Sequence, residues 1–203
     1  YDAANNDTTI NASALSAIGN ATTGTVTLTN AVKVTGNKSD VTAALVTEAS
    51  KVVAATSGTI ANVTDAVNAS EGNTIATVSN VTANFAGGLQ ALSNLLHDGS
   101  NETTAYTNIT TDDADIAVNV TDSAYDATNN DTTISAAVLS GIGNATTGTV
   151  TVDNAVKITG SQSAVTAALV TEASKVSAGS ALVTISDAAY DANNNDTTIN
   201  ASD

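Results

Sequence analysis

The sequence predicts a repeat protein: a parallel β-solenoid or α/β solenoid, mainly β, built from strand–helix rungs of about 30 residues. Three observations lead to this prediction. The chain repeats itself, its local patterns alternate between short strands and short helices, and 42% of its residues are hydrophobic although only 2% are aromatic. We therefore expect a core of Val, Ile, Leu and Ala, in which each rung buries its apolar face against its neighbours.

The internal repetition is long and has no gaps. Residues 1–52 and 125–176 are identical at 41 of 52 positions, at an offset of 124, and the opening motif occurs a third time from Tyr190. These matches predict four repeats: repeat 1 at 1–65, a diverged repeat 2 at 66–124, repeat 3 at 125–189, and the start of repeat 4 at 190–203. Because the chain starts and stops within a repeat, we expect it to belong to a longer array.

Repeat 3 shows the order of local signals most clearly. A polar loop, YDATNND, leads into a short helix predicted over 132–143, where apolar residues recur on one face and Gly143 ends the run. The β-rich stretch 148–160 follows, with alternating Val150 and Val152. A strand is then expected at 181–187.

A second helix is predicted between these β segments in repeats 1 and 3, from the helical spacing of apolar residues. The spaced residues are Val41, Ala44, Leu45, Ala49 and Val52 in repeat 1, and Val165, Ala168, Leu169, Ala173 and Val176 in repeat 3.

In the diverged repeat 2, a longer helix is predicted within 81–99. Its apolar residues step by four, three and four positions, and Gly99 is a natural stop; they are Phe85, Leu89, Leu92 and Leu96.

Triplets of Val or Ile, then Thr or Ser, then Asp, Asn or Gly are predicted to mark the ends of strands. They occur at 34–36, 63–65, 78–80, 120–122, 158–160 and 185–187.

Composition excludes several classes of function. Five lysines, no arginine and a net charge of −15 leave too few cations to neutralise phosphates, so no nucleic-acid partner is expected. Without cysteine there are no disulfides and no thiolate-bound metals. No apolar run is long enough to span a membrane. Since His97 is the sole histidine and no nucleophile–base–acid set is apparent, we predict that the protein is not an enzyme.

The loop that opens repeats 1, 3 and 4 is the most site-like motif. Hard oxygen ligands on a short loop suit Ca²⁺, which takes six to eight oxygens; calcium is therefore the one cofactor considered. The other interpretation is that Asn and Asp form turns and cap the helix that follows. The candidate ligands are Asp2, Asn5, Asp7, Asp126, Asn129, Asp131, Asp191, Asn194 and Asp196.

Asn-x-Ser/Thr sequons are dense, and in a secreted protein they would accept surface glycans. The other interpretation is a chain that is merely rich in Asn and Thr. The candidate acceptors are Asn6, Asn20, Asn37, Asn62, Asn80, Asn101, Asn108, Asn119, Asn130 and Asn144.

Two smaller features have competing interpretations. Alternating threonines at Thr25, Thr27 and Thr29, and at Thr149 and Thr151, suit an ice-binding face, but such residues are also good β formers. The acidic cluster at 112–115 suits a cation or paired hydrolytic carboxylates, but an acidic loop between strands is commoner.

The VTISD strand at 183–187, the TTGTVTV turn at 146–152 and the ITGSQSAVTAAL segment at 158–169 resemble a known class of sequence. They resemble the Thr/Val/Ala/Asp-rich tandem repeats of giant bacterial surface and secreted proteins, as in marine cyanobacteria. The resemblance implies an extracellular, cell-surface location, often with calcium. We expect a non-catalytic structural component of an extracellular array, such as a surface layer, fibre or filament, whose partners are copies of itself or adjoining repeats. A calcium-stabilised adhesin or carbohydrate-binding module is the alternative, and an ice-binding solenoid the second alternative.

Overall fold

A computed structural model describes residues 8–47, 52–54, 57–129, 132–171 and 176–188. The elements are, in chain order, β1 (Thr9–Asn11), α1 (Ala12–Asn20), β2 (Val26–Leu28), β3 (Lys33–Gly36), α2 (Lys38–Leu45), β4 (Val52–Ala54), β5 (Thr59–Val63), α3 (Ala69–Ala76), β6 (Val81–Phe85), β7 (Leu89–Ala91), α4 (Ser93–Leu96), α5 (Thr104–Asp112), β8 (Val118–Val120), β9 (Thr133–Ser135), α6 (Ala136–Asn144), β10 (Val150–Val152), β11 (Lys157–Gly160), α7 (Gln162–Leu169), β12 (Val176–Ser177) and β13 (Leu182–Ile185).

The chain divides into two compact units. Unit 1 is Tyr1–Gln90 with Thr104–Ala117, and unit 2 is Ala91–Thr103 with Val118–Asp203. No helix among the described residues is both long and apolar enough to cross a bilayer.

Unit 1 contains a four-stranded parallel sheet in the order β1-β3-β5-β6 and a separate pair, β2-β4. Parallel neighbours need a crossover, and helices α1, α2 and α3 lie between successive strands of the larger sheet. Asparagine begins each of these helices: the side chains of Asn11, Asn37 and Asn68 accept backbone N–H groups of the first turn.

The core of unit 1 lies where β5 and β6 meet the helices. Alternate residues of β6 are buried, ending at Phe85, while α5 contributes Tyr106 and Ile109, both fully buried. Gly72 of α3 makes this packing possible, since a Cβ at that position would lie 2.7 Å from Ile109 Cδ1. The aliphatic core predicted from composition is confirmed, with one phenylalanine and one tyrosine added to it.

Unit 2 contains the parallel sheet β13-β11-β9 and the strands β12, β10 and β8, which pair in that order in a second sheet. Val118 and Val150 pair across the second sheet and are fully buried. Ile134 and Ile158 pair across the first and are buried, as is Leu139 of α6.

The repetition in sequence is also a repetition in structure. The order β1-α1-β2-β3-α2-β4 in unit 1 recurs as β9-α6-β10-β11-α7-β12 in unit 2. The first five elements keep the same bounds after the offset of 124 is added, and only the last strand differs in length. Each unit therefore contains one copy of the same βαββαβ module.

The predicted solenoid, mainly β, is wrong. The chain is an α/β protein with four small parallel sheets and seven helices in its described part, about 33% helix and 28% strand, and repeat stacking is not indicated. The physical reason is local. The strands run for only two to five residues. Several strands are followed by an asparagine or serine side chain that caps a helix and by an Ala-rich segment, so much of each repeat is helical.

The predicted helix within 81–99 is also wrong. The segment forms β6, β7 and the four-residue helix α4. Two glycines interrupt the predicted helix. Gly88 has φ +78°, which is not a helical conformation, and Gly87 packs so closely that a Cβ there would lie 2.1 Å from the carbonyl carbon of Asp65. The second helix of each module exists but is shorter than predicted, ending at Leu45 and Leu169 before the chain returns to strand.

Candidate functional site

The candidate calcium loops fall mostly outside the described residues. Asp2, Asn5, Asp7, Asp131, Asp191, Asn194 and Asp196 all lie there. Asp126 and Asn129 are described and exposed: Asp126 Oδ1 accepts the Thr128 N–H at 2.8 Å, and Asn129 Nδ2 donates to Asp126 Oδ2 at 3.0 Å. The Thr128 N–H lowers the pKa of Asp126. In this copy both side chains support the turn itself, as the second interpretation of the motif expects.

Across the described part of the chain, no three His, Cys, Asp or Glu side chains converge as a group that could hold a metal ion. Calcium binding by this loop therefore stays a prediction.

The sequons differ in how accessible their amides are. Asn6 and Asn130 lie outside the described residues, and Asn20 and Asn101 are exposed. Five amides donate within the protein: Asn37 to Asp40, Asn62 to Thr35, Asn80 to the Ala54 carbonyl, Asn108 to Asn73, and Asn144 to Ser140. Asn119 lies half-buried on β8. If sugar is attached anywhere in this set, Asn20 and Asn101 are the positions where it would displace least structure.

The threonine pattern does not extend across a sheet. Thr25, Thr27 and Thr29 are exposed on and beside β2, but Thr27 pairs with Val53 of β4. In repeat 3 the equivalent Thr151 pairs with Asn119 and Ser177. A flat threonine array two strands wide is therefore not formed at these positions.

Aspartates that follow strands make a recurrent long-range contact. Asp65 Oδ1 accepts the N–H of Lys38 at 2.6 Å, Asp122 Oδ2 that of Ser93 at 2.7 Å, and Asp187 Oδ2 that of Gln162 at 2.7 Å. Each donor is the first residue of a helix that begins 25 to 29 residues earlier in the chain. Helix N-termini favour negative charge, so these carboxylates hold a strand end and a neighbouring helix together.

The triplets that predicted strand ends pointed to these aspartates. The prediction holds at Asp65, Asp122 and Asp187, which follow β5, β8 and β13, and at the glycines that end β3 and β11. It is wrong at 78–80, which precedes β6. The long-range capping itself had no signal in the local pattern.

The acidic cluster at the end of α5 covers the edge of a sheet. Asp112 Oδ2 accepts the Ala83 N–H at 2.8 Å, and Asp113 Oδ2 accepts the Phe85 N–H at 2.6 Å. Both donors lie on β6, the edge strand of its sheet. These carboxylates occupy donor groups on a strand edge that would otherwise attract another chain.

Beside this contact lies a cavity of about 190 Å³ in unit 1. It is lined by Asn84, Phe85, Ala86, Gly88, Asp113, Asp115, Ile116 and Ala117. Asp113 is 6% exposed. Burial raises its pKa, the Phe85 N–H opposes that shift, and a hydrogen bond with the side chain of Asp115 adds to it. Burial likewise raises the pKa of Asp112.

The buried aspartate of this cavity, Asp113, makes structural contacts. Asp113 Oδ2 accepts the Phe85 N–H of β6, and Asp113 also forms a hydrogen bond with the side chain of Asp115. The expected acidic loop between two strands is wrong in one respect, because the cluster connects the end of α5 to β8, and two of its aspartates close the edge of β6. Hydrolysis by paired carboxylates stays a hypothesis.

His97 packs against a glycine of α6 and lines a cavity of about 200 Å³ in unit 2. It follows α4, is 8% exposed, and its Nδ1 accepts the Gly99 N–H at 3.1 Å. Gly141 of α6 lies so close that a Cβ there would be 2.5 Å from His97 Cδ2 and Nε2. This explains a difference between the repeats, because repeat 1 has Ala17 where repeat 3 has Gly141.

Comparison with protein-family models, with curated proteins and with solved structures finds no match.

Proposed function

We propose that the chain is a non-catalytic structural component of an extracellular repeat array, a cell-surface layer, fibre or filament. The duplicated βαββαβ module carries this proposal, since a module used twice with the same element bounds is the kind of unit from which arrays are assembled. Its partners would be copies of itself or adjoining repeats of a longer chain.

The side chains available at the surface support a scaffold more than a recognition site. Carbohydrate-binding modules generally present aromatic platforms. Among the described aromatic residues, Phe85 and Tyr106 are buried, and the Lys157 ammonium lies 5.3 Å from the centre of the Tyr125 ring. The net charge of −15 would keep such an array hydrated and free of unspecific aggregation.

Electron microscopy of the purified chain, together with its sedimentation at increasing concentration, tests the proposal. We expect regular particles longer than one chain, or sheets, that grow with concentration. A chain that stays monomeric at every concentration, with and without Ca²⁺, would contradict it.

Calcium enters this proposal as a stabiliser of the Asp/Asn loops. Ligands that bind only the folded state raise its stability by mass action. We expect the melting temperature to rise on adding Ca²⁺ and to fall on chelation. Replacing Asp126 and Asn129 by alanine should reduce that response if this copy of the loop binds the ion. An unchanged melting temperature in chelator would remove calcium from the proposal and leave the structural role standing.

A further inference from the structure

Two strands in different units have an edge that pairs with no described strand. Among the described strands, β13 is the outer strand of the sheet β13-β11-β9, and β2 pairs with β4 alone. The side chains of β13 are exposed although three are apolar: Leu182 by 53%, Val183 by 42% and Ile185 by 42%. Exposed apolar edge strands are sites of pairing with another chain.

The sequence of β13 matches that of β8. AVNVTDSAY at 117–125 corresponds to LVTISDAAY at 182–190, at an offset of 65. Asp122 and Asp187, which follow the two strands, also make the same contact with the first residue of a helix. β8 differs in one respect: β10 pairs with it, and Val118 and Val120 are fully buried.

β2 is in turn the repeat-1 equivalent of β10. β10 lies between β12 and β8, whereas β2 has β4 in the place of β12 and no described strand in the place of β8. Among the described strands, β13 therefore has no neighbour in the position that β10 takes beside β8, and β2 has none in the position that β8 takes beside β10.

We propose that β13 of one copy of this chain pairs in parallel with β2 of a second copy, in the register that β8 makes with β10. Within the chain, Val118, Asn119 and Val120 pair with Val150, Thr151 and Val152. Between copies, the corresponding pairs are Val183 with Val26, Thr184 with Thr27, and Ile185 with Leu28. This joint rests on the proposed function and names the surface through which the array grows.

The pairing of β8 with β10 is called the internal joint here, and its hydrogen bonds can be made again between copies. Val118 N donates to the Thr149 carbonyl at 2.8 Å, Asp153 N to the Val120 carbonyl at 3.1 Å, and Asn154 Nδ2 to the Asp122 carbonyl at 2.7 Å. The same groups occur in the proposed joint: the Val183 N–H with the Thr25 carbonyl, the Thr29 N–H with the Ile185 carbonyl, and the Asn30 amide with the Asp187 carbonyl.

The groups of β13 that the joint needs point away from its present partner. The N–H groups of Leu182 and Ser186 donate to the Val156 and Gly160 carbonyls of the β11 side. Because bonding alternates along a strand, the N–H and C=O of Val183 and Ile185 face the other edge.

The pairing of β13 with β2 brings fewer negative charges together than the pairing of β8 with β10 does. In the internal joint, Asp153 donates its N–H to the carbonyl of Val120, two residues before Asp122. The equivalent of Asp153 in repeat 1 is Thr29. One carboxylate is therefore missing from the surface that would meet Asp187. By contrast, the edge of β6 is occupied by Asp112 and Asp113 and is closed to such pairing.

Cysteine pairing tests the register directly, since the chain has no cysteine of its own. A T184C chain is mixed with T27C, T25C or T29C chains and oxidised. All three partner positions are exposed threonines on or beside one strand, so they are matched. Directly opposed Cα atoms lie within disulfide range, and positions displaced by two residues lie beyond it. We expect disulfide-linked heterodimers from T27C at least about tenfold faster than from the other two. Equal rates, or none, would overturn the joint.

A charge placed on the open edge of β13 tests whether this edge is used in assembly without any cross-link. V183K introduces a lysine where β8 has a fully buried valine, whereas T184K, the matched control, places it where β8 has the half-buried Asn119. We expect V183K to weaken self-association by about tenfold or more and T184K by much less. Far-UV circular dichroism and melting temperature confirm that both variants fold.

The two proposals fail in different ways. If the wild type and V183K form the same arrays, this joint is wrong and the structural function stands. If cysteine trapping shows the predicted register but no arrays form at any concentration, the joint stands and the array function fails. In a T27C/T184C double variant, a disulfide that closes within one molecule, at a rate independent of chain concentration, would overturn the second copy as the occupant.

Discussion

The contact between His97 and Gly141 gives a prediction in which tertiary packing should reverse a helix propensity. Gly141 lies inside α6, and repeat 1 has alanine at the equivalent Ala17. Replacing glycine by alanine within a helix normally stabilises it by about 1 kcal/mol. On sequence grounds, Gly141→Ala would therefore be a stabilising, consensus-like change.

The structure predicts the opposite sign. The new Cβ would lie 2.5 Å from two atoms of the His97 ring, well inside ordinary contact distance. Overpacking of this kind costs about 1–3 kcal/mol. Displacing the ring also endangers the bond from the Gly99 N–H, a further cost of about 1 kcal/mol. After subtracting the propensity gain, we expect Gly141→Ala to lower the free energy of unfolding by about 1–3 kcal/mol.

Removing the ring should restore the ordinary preference. In a His97→Ala background, Gly141→Ala is expected to raise stability by about 1 kcal/mol, so the coupling between the two positions is about 2–4 kcal/mol. Ala17→Gly in repeat 1, where Ala17 is exposed, is the matched control and should cost about 1 kcal/mol.

Urea unfolding followed by far-UV circular dichroism measures all four variants, and hydrogen exchange of α6 shows whether the loss is local to unit 2. The reasoning is refuted if Gly141→Ala stabilises the wild-type chain as much as it stabilises the His97→Ala chain.

Three further predictions concern the aspartates and a glycine. Because the pKa of Asp113 is raised in the folded state, its charge opposes folding: the stability linked to it is present below the ordinary pKa and is lost as pH rises through the folded value. Asp113→Asn should therefore melt at a higher temperature than wild type at pH 7 and at the same temperature at about pH 3, where both are neutral; equal melting temperatures at pH 7 would contradict this. Asp65→Ala should cost about 1–3 kcal/mol in urea unfolding, and Asp187→Ala less, because Asp65 is half-buried and Asp187 exposed; the reverse order would show that these carboxylates do not act as helix caps. Gly87→Ala should cost more than about 3 kcal/mol, seen as an early loss of unit 1 in hydrogen exchange, because its Cβ would overlap the backbone of Asp65; a wild-type exchange profile would refute the contact.

The local pattern predicted the elements of repeats 1 and 3 better than those of repeat 2. The strand at 181–187 and the alternating valines at 150–152 form β13 and β10. The helix predicted over 132–143 exists as α6 from Ala136, but its predicted first turn, including Ile134, is strand β9. In repeat 2 the stepping of Phe85, Leu89 and the leucines after it indicated a helix. The same residues also fit strand alternation on either side of a turn, and only the glycines between them distinguish the two.

The candidate sites were predictable only as residue types. The Asp/Asn loop was recognised, and at Asp126 the structure uses its oxygens to hold the turn. The cap that Asp65 places on α2 joins residues 27 positions apart, and the contact of His97 with Gly141 joins two elements that no short motif connects. Neither has a local sequence signal, because each depends on which strand lies beside which helix.

By itself, the sequence determined that the chain is built from a duplicated module, that its core is aliphatic, and that its chemistry rests on carboxylates, amides and hydroxyls without thiols or guanidinium groups. Repetition and composition are properties of the chain as written, and no folding is needed to see them. The tertiary structure alone decided how the modules are built: separate small parallel sheets with helices between their strands, and particular edges left open or closed. Register and edge pairing arise from contacts between residues far apart in the chain, and a stretch of alternating valines and threonines is compatible with several neighbours until packing selects one.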